Sequence, residues 1–166
     1  MNATSELRFA PARGADLPRI AALSRREIET GLLPSWTEAR LDRSRRQPET
    51  MLLVAHARDL ARDPLAPFEF AGFGVMAYGE SRAHLNLLGV EPRLQRHGIG
   101  RQLVRWLEAT ALEAGTFEIT LEVRASNAGA QAFYHALGYA TVGRIDGYYQ
   151  GRDDALRLRR DLRTHR

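Results

Sequence analysis

Apolar residues recur along this chain with two periods, one helical and one of two residues. Leu17, Ile20, Ala21 and Ile28 fall on one side of a helix. Asp16 reads as its N-cap, Pro18 lies in its first turn and Gly31 closes it. A second helix begins after Thr37 and stops before Pro48. The strongest stripe, Leu103, Val104, Trp106, Leu107 and Leu112, predicts a helix over 100–114 that Gly115 ends. A fourth helix spans 127–137, with Gly138 behind it. Strands are predicted at 6–10, 51–57, 68–78, 82–90, 117–123, 140–145 and 155–162. The turn 79–81 makes a hairpin of the third and fourth. A loop holding Gly147, Tyr148 and Tyr149 joins the last two. The order β-α-α-β-β-β-α-β-α-β-β predicts one α/β domain over 1–166, with a mixed sheet and helices on both faces.

Composition narrows the chemistry. The length and an apolar fraction of 44% suit one soluble domain. No apolar run is long enough to span a membrane and residues 1–9 hold no signal-peptide core, so a cytoplasmic protein is expected. There is no cysteine, which excludes disulfides, a thiolate nucleophile and Cys-based zinc sites. His84, His97 and His135 stand singly, without metal-ligand spacing, and no metal is expected; His84 is assigned no role. All 24 basic residues are arginine and the net charge is +4. A chain without lysine offers no ε-amino target of its own to an amine-modifying activity. The arginine clusters near 40–46 and 157–166 read as a solvated helix face and an edge strand rather than a nucleic-acid surface.

The stretch Gln95-Arg96-His97-Gly98-Ile99-Gly100 lies between the strand ending at Val90 and the helix that follows. A glycine turn entering a helix leaves backbone N–H groups unpaired at the positive end of the helix dipole, a cradle for phosphate. A tight turn without a ligand fits Gly98-x-Gly100 alone equally well. A dinucleotide fingerprint would need glycine where Leu103 stands, and a Walker-type loop would need a lysine.

Gln95-x-x-Gly98-x-Gly100, directly after Leu88-Gly89-Val90-Glu91-Pro92, resembles the acyl-CoA pyrophosphate loop of the GNAT N-acetyltransferase superfamily. Leu121-Glu122-Val123-Arg124-Ala125-Ser126-Asn127, followed by Phe133-Tyr134 and Gly138-Tyr139, resembles the second half of that family's cofactor site. The wording is similar to bacterial ribosomal-protein-alanine N-acetyltransferases, and the resemblance covers about half the chain, roughly 82–161. It implies a mixed, mostly antiparallel sheet of six to seven strands flanked by about four helices.

The resemblance further implies direct, acetyl-CoA-dependent transfer of acetyl to a primary amine, on a protein N-terminus or a small molecule. The backbone of Arg96, His97, Gly98, Ile99, Gly100 and Arg101 would hold the diphosphate, with Gln95 in the same loop. Leu88, Gly89 and Val90 would pair with the pantetheine arm, and the Val90 N–H would polarise the acetyl carbonyl. Asn127 would contact the pantetheine, or serve as a plain N-cap, or both. Glu122 would be the general base, acting through water; as a strand residue alone it reads as a carboxylate paired with Arg124 or another arginine. Tyr134, two helical turns after Asn127, would protonate the departing sulfur, while Phe133 reads as the core aromatic. Tyr148 and Tyr149 resemble a peptide-binding hairpin, whereas the loop around Trp36 matches nothing in that family pattern. Monomer and homodimer both fit. A non-catalytic acyl-CoA-binding or regulatory module on the same fold is the alternative.

Overall fold

The computed structural model describes residues 5–59 and 61–164. The element order is β1 (Ser5–Pro11), α1 (Leu17–Leu23), α2 (Glu38–Arg45), β2 (Thr50–Asp59), β3 (Glu69–Tyr78), β4 (Arg82–Val90), α3 (Ile99–Glu113), β5 (Glu118–Arg124), α4 (Ala128–Ala136), β6 (Ala140–Tyr149) and β7 (Asp153–Asp161). The seven strands form one mixed sheet in the order β1-β2-β3-β4-β5-β7-β6. Strand β1 pairs antiparallel with β2, β4 parallel with β5, and β7 antiparallel with both β5 and β6. The predicted α/β class, strand number and element order all hold. No helix among the described residues is long and apolar enough to cross a membrane.

The chain folds as two compact units. The first comprises the described residues up to Met76 together with Leu87–Leu107. Its core gathers Leu17, Ile20, Leu23, Leu41, Leu52, Val54, Phe70, Phe73 and Val75, with Ile28 and Trp36 packed against it. Each fully buried aliphatic or aromatic side chain of this kind contributes about 1.5–3 kcal/mol. Thr37 caps α2 by accepting the Arg40 N–H at 3.3 Å. Asp16 does not cap α1 with its side chain; its carboxylate accepts the Arg13 N–H at 2.8 Å and closes a preceding one-turn 3-10 segment. Past Leu23 the helix widens into a π-type turn over Ser24–Ile28, closed by Glu29 N–H to the Ser24 carbonyl at 2.8 Å.

The second unit comprises Ala77–Asn86 and the described residues from Glu108 on. Its buried side chains include Ile119, Leu121, Val123, Leu137, Tyr139 and Leu158. Two expectations fail here. Leu112 completes the helical stripe on paper but is 42% exposed; Ala111 is buried one position earlier instead. Strand β6 runs on to Tyr149, so Gly147, Tyr148 and Tyr149 belong to a strand and the turn lies at 150–152. Asp154 explains the longer strand: it accepts the Gly147 N–H at 2.8 Å and an Arg144 N–H at 2.5 Å, so the hairpin is zipped to its tip.

Candidate active site

The sequence-predicted site residues divide between the units: 88–90 and 95–101 lie in the first, Glu122, Asn127 and Tyr134 in the second. In the first unit, β4 ends at Val90 and a 3-10 turn, Pro92–Leu94, leads into the glycine loop. Gly89 is buried, and a Cβ there would come within 2.8 Å of the Phe73 ring. Packing therefore accounts for this glycine. Gln95 reaches back, its Nε2 donating to the Val90 carbonyl at 3.2 Å, and fastens the loop to the strand end. The exposed His97 folds onto the same loop, its Nδ1 2.7 Å from the Gln95 carbonyl. Arg96 at φ 65° and Gly98 at φ 81° are both left-handed. Nothing lies within 4 Å of a Cβ built on Gly98, so its positive φ is what requires glycine. The first α3 bond runs from Gln102 N–H to the Gly98 carbonyl at 3.1 Å. The amides of Ile99, Gly100 and Arg101 thus precede the helical ladder, as an anion cradle requires.

In the second unit, β5 buries Ile119, Leu121 and Val123 on one face, which leaves Glu122 on the other. Its side chain is nonetheless only 6% exposed. One carboxylate oxygen, Oε2, lies 2.5 Å from His84 Nε2; the other, Oε1, accepts the Arg157 Nε–H at 2.9 Å. Both partners follow from the strand pairing. Arg157 is the β7 residue in register with Glu122, and His84 lies on β4, the parallel neighbour of β5. His84 Nδ1 lies 2.5 Å from Asn86 Oδ1, two residues along the half-buried face of β4. The Glu122 carboxylate also acts on the Tyr148 phenol of β6.

The electrostatics follow from these contacts. Burial by itself would raise the Glu122 carboxyl, but the His84 bond and charge, joined by Arg157, outweigh it and hold the group below its ordinary range. The bond to Glu122 raises the His84 imidazole, helped by Asn86 and opposed by burial and the Arg157 charge. Burial lifts the Tyr148 phenol, and the Glu122 carboxylate adds to it. Tyr149 is pushed up to about 12 by burial, with the charges of Tyr148 and Glu122 adding.

Asn127 caps α4, its Oδ1 accepting the Ala130 N–H at 3.0 Å. Tyr134 is buried and Phe133 half-buried, the reverse of the expected division of labour. Tyr134 sits edge-on between Phe133 and Tyr139, with ring centroids 5.0 and 5.6 Å away. Burial drives its phenol far above the ordinary value, and Tyr149 adds to the shift. It therefore holds its proton throughout the neutral range. Of the arginines open to Glu122 in the sequence, Arg124 or another, the structure supplies another: Arg124 bonds Asp153 at 3.0 Å, and the arginine on Glu122 is Arg157. Sequence reasoning missed His84 and Arg157. Their only signal was parity, His84 and Asn86 alternating with buried Ala83 and Leu85, and parity names no partner strand. No group of three or more His, Cys, Asp or Glu fit to hold a metal ion occurs among the described residues.

The family model described as Acetyltransferase (GNAT) family matches residues 20–139. The chain belongs to this family. Two curated relatives make the kinship closer. The N-terminal acetyltransferase B complex catalytic subunit naa20 of Schizosaccharomyces pombe is 37% identical over 115 residues, 67% of this chain and 63% of its own. The [Ribosomal protein bS18]-alanine N-acetyltransferase of Escherichia coli is 39% identical over 93 residues, 53% of this chain and 62% of its own. The chain thus matches less than two thirds of the length of either relative. The crystal structure of Arabidopsis thaliana NAA60 in complex with acetyl-CoA shares the fold at TM-score 0.79 and 18% identity, covering 96% of this chain and 100% of that one.

Proposed function

We propose that this GNAT protein is an acetyl-CoA-dependent N-acetyltransferase that passes acetyl directly to a primary amine. The observation that carries it is the buried Glu122 carboxylate, kept ionised by His84 and Arg157 from the two strands that flank its own, its charge acting on Tyr148 and Tyr149 of β6. A polar cluster of this kind is costly to bury for stability alone, and perturbed carboxylates of this type gather at functional sites. The names of both curated relatives point to protein N-termini or a protein alanine as acceptor, and we take a peptide N-terminus as the acceptor class.

In this reading the main-chain amides of Arg96 to Arg101 hold the diphosphate of the cofactor, with the loop braced by Gln95. Leu88, Gly89 and Val90 offer backbone groups to its pantetheine arm, the Val90 N–H faces the acyl carbonyl, and Asn127 contacts the arm beyond its capping role. Acetyl-CoA, when bound, supplies an acetyl group activated as a thioester. Glu122 lies at the centre of the proton-accepting cluster. An amine stays mostly protonated near neutral pH, since an α-amino group titrates at about 7.7–8.0, so a base is needed. Tyr134, protonated throughout, is the donor that completes the proton balance on the leaving sulfur. Free-thiol release from acetyl-CoA, screened over peptides of varied N-terminal residue and a set of small amines, tests the proposal. Release with at least one peptide is the expected result; silence across the panel with folded, CoA-binding protein would end it.

A further inference from the structure

Both oxygens of Glu122 are already taken. Oε1 holds the Arg157 Nε–H and Oε2 faces His84 Nε2 at 2.5 Å. With 6% of its side chain exposed, the carboxylate cannot meet an incoming amine unaided. The His84 ring is far more open than the carboxylate it faces, at 35%. Its Nδ1–H is committed to Asn86 Oδ1. The line from Nε2 to Oε2 therefore holds one proton, and without that proton two lone pairs would confront each other at 2.5 Å. The contact as it stands is the protonated form.

We propose that His84 and Glu122 act as one proton-holding pair, and that this pair, not Glu122 alone, takes the proton from the acceptor's ammonium. This rests on the acetyltransferase reading above. When the pair loses its proton, the Nε2–Oε2 contact opens while Arg157 keeps the carboxylate in place. An ammonium group entering from the open His84 side donates to both acceptors. Its N–H bond then breaks, the proton becomes the Nε2–H, and the electron pair stays on the amine nitrogen as the nucleophile. The new imidazolium closes on Oε2 and restores the observed contact. The charged or titratable groups facing the pair are Arg157 on β7 and Tyr148 and Tyr149 on β6; Asn86 on β4 fixes the ring. Two coupled groups of this sort titrate with values that belong to the pair.

The test joins turnover with a titration that needs no substrate. Thiol release is followed against pH at saturating acceptor for the wild type, His84→Gln and Glu122→Gln. The His84 imidazole is followed by carbon-13 NMR in the wild type and Glu122→Gln. We expect the wild-type kcat to fall as pH drops through the pair's titration, above the ordinary histidine value of about 6.5. His84→Gln should lower kcat roughly 10–100-fold and remove that limb. In Glu122→Gln the His84 resonance should titrate at lower pH than in the wild type. An unchanged kcat and limb in His84→Gln would overturn the pair, as would a His84 titration unmoved by Glu122→Gln, and this second result does not depend on His84→Gln folding. Absence of thiol release by the wild type would instead remove the acetyltransferase reading from which the pair starts.

Discussion

His84 and Glu122 give a stability signature with a defined pH window. The Glu122 carboxyl is depressed from 4.5 in the fold, so its contribution is complete above that value and lost as pH falls through its folded value. The His84 imidazole is raised from 6.5, so its contribution is complete below that value and lost as pH rises through its folded value. The coupling between them should therefore be largest between about pH 4.5 and 6.5 and shrink on either side. A double-mutant cycle of His84→Gln and Glu122→Gln, read by urea denaturation across pH, checks this; a pH-independent coupling would contradict it. Tyr134→Phe keeps the ring and its two edge-on contacts. It should change stability by less than about 1.5 kcal/mol and leave the calorimetric Kd for CoA within a few-fold, while lowering kcat. A wild-type kcat would remove the donor role.

At the level of elements, the glycine loop and the α3 network invite different tests. Gly98 faces open space, so Gly98→Ala meets no clash and is strained only by its left-handed φ, by about 1–2 kcal/mol. If that strain shifts the loop out of its amide-presenting shape, CoA affinity should fall by roughly tenfold. Titration calorimetry measures it, and unchanged affinity would detach the loop conformation from binding. Glu108 on α3 is buried and accepts the Tyr139 hydroxyl at 3.0 Å and Arg160 Nη1 at 2.7 and 2.8 Å. Glu108→Ala leaves a half-buried arginine and a buried phenol without that carboxylate and should cost about 3–5 kcal/mol, seen as a lower urea midpoint. A loss below about 1 kcal/mol would mean that water replaces the carboxylate freely.

For the whole molecule, a ligand that binds only the folded chain adds to its stability by mass action. CoA at about 100 times its Kd should stabilise the protein by about 2.7 kcal/mol. For a chain of this size that is a rise in Tm of roughly 5–10 °C, checked by calorimetric scanning. No rise at any CoA concentration would count against cofactor binding altogether.

The order of elements was legible in the chain because it depends on local periodicity and on breakers such as Gly115, Gly138 and Pro48, whose effects reach only a few residues. The glycine loop was legible for the same reason: Gly98 answers to its own φ, not to a distant neighbour. Tertiary structure decided the rest. Which side of Phe133-Tyr134 turns inward depends on the ring of Tyr139, and how far β6 runs depends on Asp154 across the hairpin. The cluster on Glu122 is the clearest case, since His84 and Arg157 stand 38 and 35 residues from it and meet it through strand pairing alone. A sequence period fixes which face of a strand a side chain takes, but only hydrogen bonding between strands fixes which residues share that face.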